Sequence, residues 1–173
     1  MSIGVIQPLG GHQALLIVAG RRLPAVLGEA GIRWDKREGD RATPAGLLPL
    51  RRVFFRADRV SAPACAVRRE ALAPTDGWCD DPAHQDYNCL VTLPHPARHE
   101  RMWRDDALYD LVGELGWNDS PRVPGRGSAI FLHVAPPDGA PTAGCIALAP
   151  EALREALAAG LTAIEVPAAE GRG

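Results

Sequence analysis

The chain has 173 residues and a formal net charge of -2, the length of one domain with room for its own core and no basic footprint for nucleic acid. Aromatic residues are 5%, so the core is built from Leu, Val, Ile and Ala; Gly 18 and Pro 16 make about a fifth of the chain against roughly 12% in average usage, the mark of a turn-rich fold. No export signal or membrane anchor can be read, the first apolar run being only residues 14–19, so no membrane insertion is expected.

Residues 14–19 and 22–27 flank Gly20 and read as the two strands of an opening hairpin. In "GDRATPAG", residues 39–46, Pro44 fixes φ and Gly46 accepts a positive φ, which makes a turn feeding the apolar stretch that ends at Phe55. Arg51, Arg52 and Arg56 around Phe54 and Phe55 read as the polar side of that strand. Residues 56–96, rich in Pro, Asp, Ala and Cys, read as a long irregular insertion crossing one face of the sheet. A short helix is expected over 97–103. "LYDLVGEL" and "AIFLHVA" read as strands, the second with Ile130, Leu132 and Val134 on one face and Phe131 and His133 on the other. In "APEALREALAAGL", Pro150 suits a first helical turn, Leu153, Ala156 and Leu157 form an apolar stripe, and Gly160 suits the position after the C-cap. "TAIEVPA" is a closing strand and "AEGRG" a frayed tail. The sum is a single domain over residues 1–173, mostly β with one or two helices.

Cys65, Cys79, Cys89 and Cys145 are irregularly spaced with no C-x-x-C, which argues against a thioredoxin-type motif and a zinc ribbon, and nothing in the spacing pairs them. Cys79, His84, Cys89, His95 and His99 match no standard metal spacing, and no metal or organic cofactor is expected. Cys145 follows His133 by twelve positions across a proline-rich loop. A thiol with pKa about 8.5 needs a neighbouring base to become a thiolate, and a histidine is the usual one. Gly144 lets the backbone approach closely, so the amides of Gly144 and Cys145 can form an oxyanion hole. A buried inert thiol beside a satisfied histidine fits the same spacing.

The strand ending in His133, the loop, and Thr-Ala-Gly-Cys at 142–145 resemble the active-site signature of the YkuD-type L,D-transpeptidase domain. "GDRATPAG" resembles the Gly-x-x-x-Thr-Pro-x-Gly turn of the same domain, and the resemblance covers about residues 13–167. It implies a β-sandwich-like catalytic domain in which Cys145 attacks a carbonyl of a peptidoglycan stem peptide, His133 is the base, oriented through a backbone carbonyl, and Thr142, Ala143 and Gly144 line the oxyanion hole. Ala143 stands where the family usually has a second histidine, Ala147 replaces a common arginine, and the spacer is short with Pro136, Pro137 and Pro141. With these departures the chain looks closer to a short proteobacterial branch of the family, within which 1,3 cross-links, L-Ala to diaminopimelate, are a known alternative to 3,3 cross-links. In "DGWCDDPAHQDYN", residues 76–88, Asp80 or Asp81 is a candidate to orient a cationic acceptor and Trp78 and Tyr87 to stack on sugar; an Asp-Pro turn pinned by a buried Trp reads the same residues. "GWND", residues 116–119, is a turn with Asn118 toward the cleft. The expected partners are stem peptides and glycan strands, acted on by a monomer in the periplasm. Hydrolysis by the same pair, as a carboxypeptidase or endopeptidase, and a non-catalytic murein-binding module are the alternatives.

Overall fold

The computed structural model describes residues 1–168, so the tail read as frayed lies outside the described residues. The chain opens with β1 (Ser2–Gly10), a strand the hairpin reading did not include, then β2 (Gln13–Val18) and β3 (Arg21–Val26), the hairpin around Gly20. Two short parallel strands, β4 (Ile32–Arg33) and β5 (Thr43–Pro44), prepare the turn into β6 (Gly46–Phe55). The long insertion is less irregular than its composition suggests and holds β7 (Arg68–Ala71), β8 (Asp76–Cys79) and β9 (Leu90–Thr92).

Residues 97–103 are not a helix. Their centre is β10 (His99–Arg101), paired antiparallel with β8 so that His99 faces Cys79 and Glu100 faces Trp78. Ladder hydrogen bonds to a distant strand and complete burial of Met102 outweigh a weak local helical pattern. The chain continues through β11 (Leu111–Leu115), β12 (Phe131–Val134), β13 (Ile146–Leu148), α1 (Pro150–Ala158) and β14 (Leu161–Val166). The helix is the single one among the described residues, and Gly160 follows its C-cap with φ +88°.

Nine strands form the main sheet in the order β11-β12-β13-β3-β2-β1-β14-β6-β7, and β11 also pairs with β6. The sheet therefore closes on itself, and its opposite arcs pack across one core as the layers of a sandwich do. That core holds Leu16, Leu48, Leu132, Ile146, Leu148 and Ile164, with Leu153, Ala156 and Leu157 of α1 packed on it. A second cluster lies on the other face of β6, β11 and β12: Phe54, Val112, Phe131, Tyr109 and Cys145, covered by Trp78 of β8 and by Met102. Trp78 meets Phe131 edge-on at 5.0 Å. Strand alternation on β12 sends Leu132 and Val134 into the first core and Phe131 into the second, with His133 following Phe131.

Arg51 and Arg52 lie on β6 and pair with Asp119 and Glu114. Arg56 departs from the polar-side reading. It follows the strand, is 3% exposed, places its guanidinium 3.5 Å from the Trp103 ring centre, and binds Asp58 and the Arg104 carbonyl.

Candidate active site

The two sequence motifs meet in space. Gly28, just after β3, bridges Thr142, and its N–H donates to Thr43 Oγ1 at 2.9 Å. Gly144 has φ +140°, and a Cβ there would stand 2.7 Å from the Ala42 carbonyl oxygen, so the turn before Cys145 rests directly on the turn before β6. Thr142 Oγ1 donates to the Cys145 carbonyl at 2.7 Å and accepts the Gly144 N–H at 3.0 Å. The Gly144 amide is thus used within the turn. The Cys145 N–H has no partner among the described residues, which leaves it as the turn's donor for an oxyanion.

β12 and β13 are parallel, with Leu132 opposite Ile146 and His133 opposite Ala147. The same offset puts Cys145 opposite Phe131, one same-face step before His133. Cys145 Sγ donates to the Ala129 carbonyl at 3.2 Å and accepts the Phe131 N–H at 3.4 Å; its hydrogen bonds are to these groups and not to His133. Burial pushes this thiol up to about 12, against the pull of the Phe131 N–H. His133, 5% exposed, donates Nδ1–H to the Val134 carbonyl at 2.8 Å, which leaves Nε2 as the acceptor. Burial lowers its pKa to about 4, and the Tyr109 ring stands against it at 5.3 Å. The resting pair is therefore a neutral thiol and a neutral imidazole. Such pairs commonly tighten only once substrate is in place.

Cys145, His133, Thr142 and Ala143 line one cleft of about 480 Å³, walled by Pro136 and Pro141 and edged by Glu38, Asp80, Glu100 and Arg104. A larger, open hollow of about 680 Å³, lined by Arg51, Arg52, Trp78 and Arg122, contains neither member of the pair. A scan against known protein families matches residues 12–165 to YkuD, the L,D-transpeptidase catalytic domain. The chain belongs to this family. Among solved structures, L,D-transpeptidase 1 of Mycobacterium tuberculosis is similar at 16% identity and a TM-score of 0.40; the match covers 95% of this chain and 60% of that one. The YkuD chain thus spans less than two thirds of that protein. No curated protein matches its sequence.

Other residues singled out in this YkuD sequence stand behind the cleft. Trp78 donates its indole N–H to Asn88 Oδ1 at 3.0 Å, and the same oxygen accepts the Ala129 N–H at 3.1 Å. Asn88 Nδ2 binds the Trp117 and Asn118 carbonyls, both at 2.9 Å. Asn118, at φ +51°, ties its side chain to Val123 and Gly127. Tyr87 donates to Glu38 at 2.6 Å and accepts the Gly127 N–H at 3.0 Å. Together they brace the loop that ends at Ala129, held at φ +55°, whose carbonyl receives the thiol.

Asp81 does not line the cleft and accepts the Ala83 N–H, whereas Asp80 does line it, paired with Arg98 at 3.0 Å. Of the histidines weighed as metal ligands, His84 and His95 come together with Asp86. Each accepts a backbone N–H on Nδ1, which puts its proton on Nε2, and His95 donates that proton to Asp86 at 2.9 Å. Glu38, Glu100 and Tyr109 of the cleft were not found from sequence. Glu100 fell inside the expected helix, and no local spacing ties it to Cys145.

Proposed function

We propose that this YkuD domain is a peptidoglycan L,D-transpeptidase working through a Cys145 thioester. The observation that carries the reading is the cleft itself, in which a cysteine and a histidine with an open Nε2 share one sheet face beside an unpartnered amide. A donor stem enters with its scissile carbonyl near the Cys145 N–H. The thiol turns from Ala129 toward His133 Nε2 and gives up its proton as Sγ attacks. The oxyanion is held by the Cys145 N–H, the C–N bond breaks, and the leaving amine takes the proton from His133. The amine of a second stem then attacks the thioester; its C–S bond breaks, and the proton lost by that amine returns to sulfur through His133.

The substrates are stem peptides on glycan strands, and the site of action is the periplasm, where that polymer lies. The small side chain at Ala143 and the proline-walled cleft favour 1,3 joining, L-Ala to diaminopimelate; Ala147 is fully buried in β13 and does not line the cleft. Trp78, Tyr87 and Asn118 serve by bracing the Ala129 loop. The enzyme acts as a monomer. Water in place of the acceptor would make the same pair a carboxypeptidase or endopeptidase.

Incubation with purified muropeptides, read by mass spectrometry, tests this. New cross-linked dimers are expected, with none from Cys145→Ala at unchanged circular dichroism and normal yield from Cys65→Ala. Trimmed monomers would assign hydrolysis instead, and untouched substrate would overturn catalysis and leave a binding module.

A further inference from the structure

The charges around the cleft are unevenly matched. Its cations each pair with a carboxylate outside the lining: Lys36 with Asp40, Arg41 with Glu29, and Arg104 with Asp106. Of its carboxylates, Asp80 is matched by Arg98, but Glu38 and Glu100 are held by hydroxyl groups alone. Glu38 Oε1 accepts from Tyr87 and from Ser128, both at 2.6 Å. Glu100 Oε1 accepts from Tyr109 at 2.6 Å, and among the described residues neither glutamate forms an ion pair.

A carboxylate in a recess without a counter-ion is costly, and the cost falls when a cation arrives. Glu100 is such a group: burial raises its pKa, Asp80 and Glu38 push the same way, and Tyr109 and Arg104 only partly offset them. Its negative charge is also felt at Cys145, where it opposes thiolate formation. A cation bound to Glu100 would lie in the same cleft as the reacting sulfur and relieve that opposition. Glu38 is committed to two hydroxyls that tie down Tyr87 and Ser128, whereas Glu100 has a single protein donor and a second oxygen to spare.

Resting on the transpeptidase reading, we propose that Glu100 is the subsite for the ammonium group of the acyl acceptor, which hands one proton to the Glu100 carboxylate and attacks as the neutral amine, with Glu38 adding negative potential behind it. The role expected of Asp80 or Asp81 from sequence passes to a residue on β10, because Asp80 is spent on Arg98 and Asp81 is outside the cleft.

The test divides one preformed thioester between two nucleophiles. Glu100→Gln keeps the shape and the Tyr109 hydrogen bond but removes the charge. The KM for a muropeptide bearing a free diaminopimelate amine should rise about tenfold or more, the lower range for a hydrogen bond to a charged group. Attack by hydroxylamine, uncharged near neutrality, should not slow, because it draws nothing from that charge and the Cys145 thiolate leaves no less readily without it. Equal losses with both nucleophiles, or an unchanged KM, would overturn the subsite.

Calorimetry of the same muropeptide on Cys145→Ala, with and without Glu100→Gln, needs no chemistry. Weaker binding in the double variant supports the subsite even if the wild type forms no thioester, in which case the transpeptidase reading alone fails. Equal binding overturns the subsite whether or not thioester forms.

Discussion

Burial holds the His133 imidazole at about 4 in place of its ordinary 6.5, so protonating it works against folding. Between those values the unfolded chain binds the proton and the folded chain does not, and stability falls as pH falls. The contribution is fully present above 6.5 and lost toward 4, roughly 3 kcal/mol at about 1.4 kcal/mol per pH unit. Cys145 acts at the other end. Its thiol is raised from 9.0 to about 12, so its stabilising effect is present below 9 and lost as pH rises toward 12. Urea unfolding of His133→Gln at several pH values from neutral to acid should show most of the acid slope removed; a slope equal to the wild type's would mean that other groups carry it.

At the scale of elements, the connection from β12 to β13 sets access. Gly139 takes φ +70° and donates its N–H to the Pro136 carbonyl at 3.0 Å, while its own carbonyl lies 3.2 Å from His12 Nε2. Pro136 and Pro141 face the cleft, and Pro137 faces an apolar groove on the outer side. Three fixed φ angles and two tethers make the loop a stiff wall. On the proposed transpeptidase activity, replacing Pro136, Pro137 and Pro141 by glycine should change the preference among muropeptide donors on the order of tenfold, while alkylation of Cys145 by iodoacetamide changes much less. A small reagent senses the thiolate fraction, whereas a stem must also fit the wall. Equal effects in both assays would mean that the prolines only hold the pair in place.

For the molecule as a whole, two cores back to back divide stability from reactivity. Leu132 is fully buried in the closed sheet, and Leu132→Ala should cost about 2–5 kcal/mol in denaturant unfolding. Trp78 belongs to the other cluster and reaches the thiol through Asn88 and Ala129. Trp78→Phe keeps an aromatic ring but loses the indole hydrogen bond, worth about 1 kcal/mol, so alkylation of Cys145 in the folded protein should quicken roughly fivefold. No change in that rate would show that the loop holds without Trp78.

Several features are legible in short-range pattern alone. The opening hairpin, the alternation that faces His133 away from Leu132, the α1 stripe with its closing glycine, and the Cys145 turn all rest on neighbours a few positions apart. The sequence also carries both family motifs, though not the reason they occur together, which is the Ala42 carbonyl under Gly144 and Thr43 beneath Gly28. Long-range pairing, by contrast, makes residues 99–101 a strand, closes β11 on β6, consumes the Gly144 amide while the Cys145 amide stays open, and sets Glu100 at the edge of the cleft. Each of these depends on groups brought together by long-range strand pairing and burial, whose free energy exceeds the weak local preferences that a window of sequence can display.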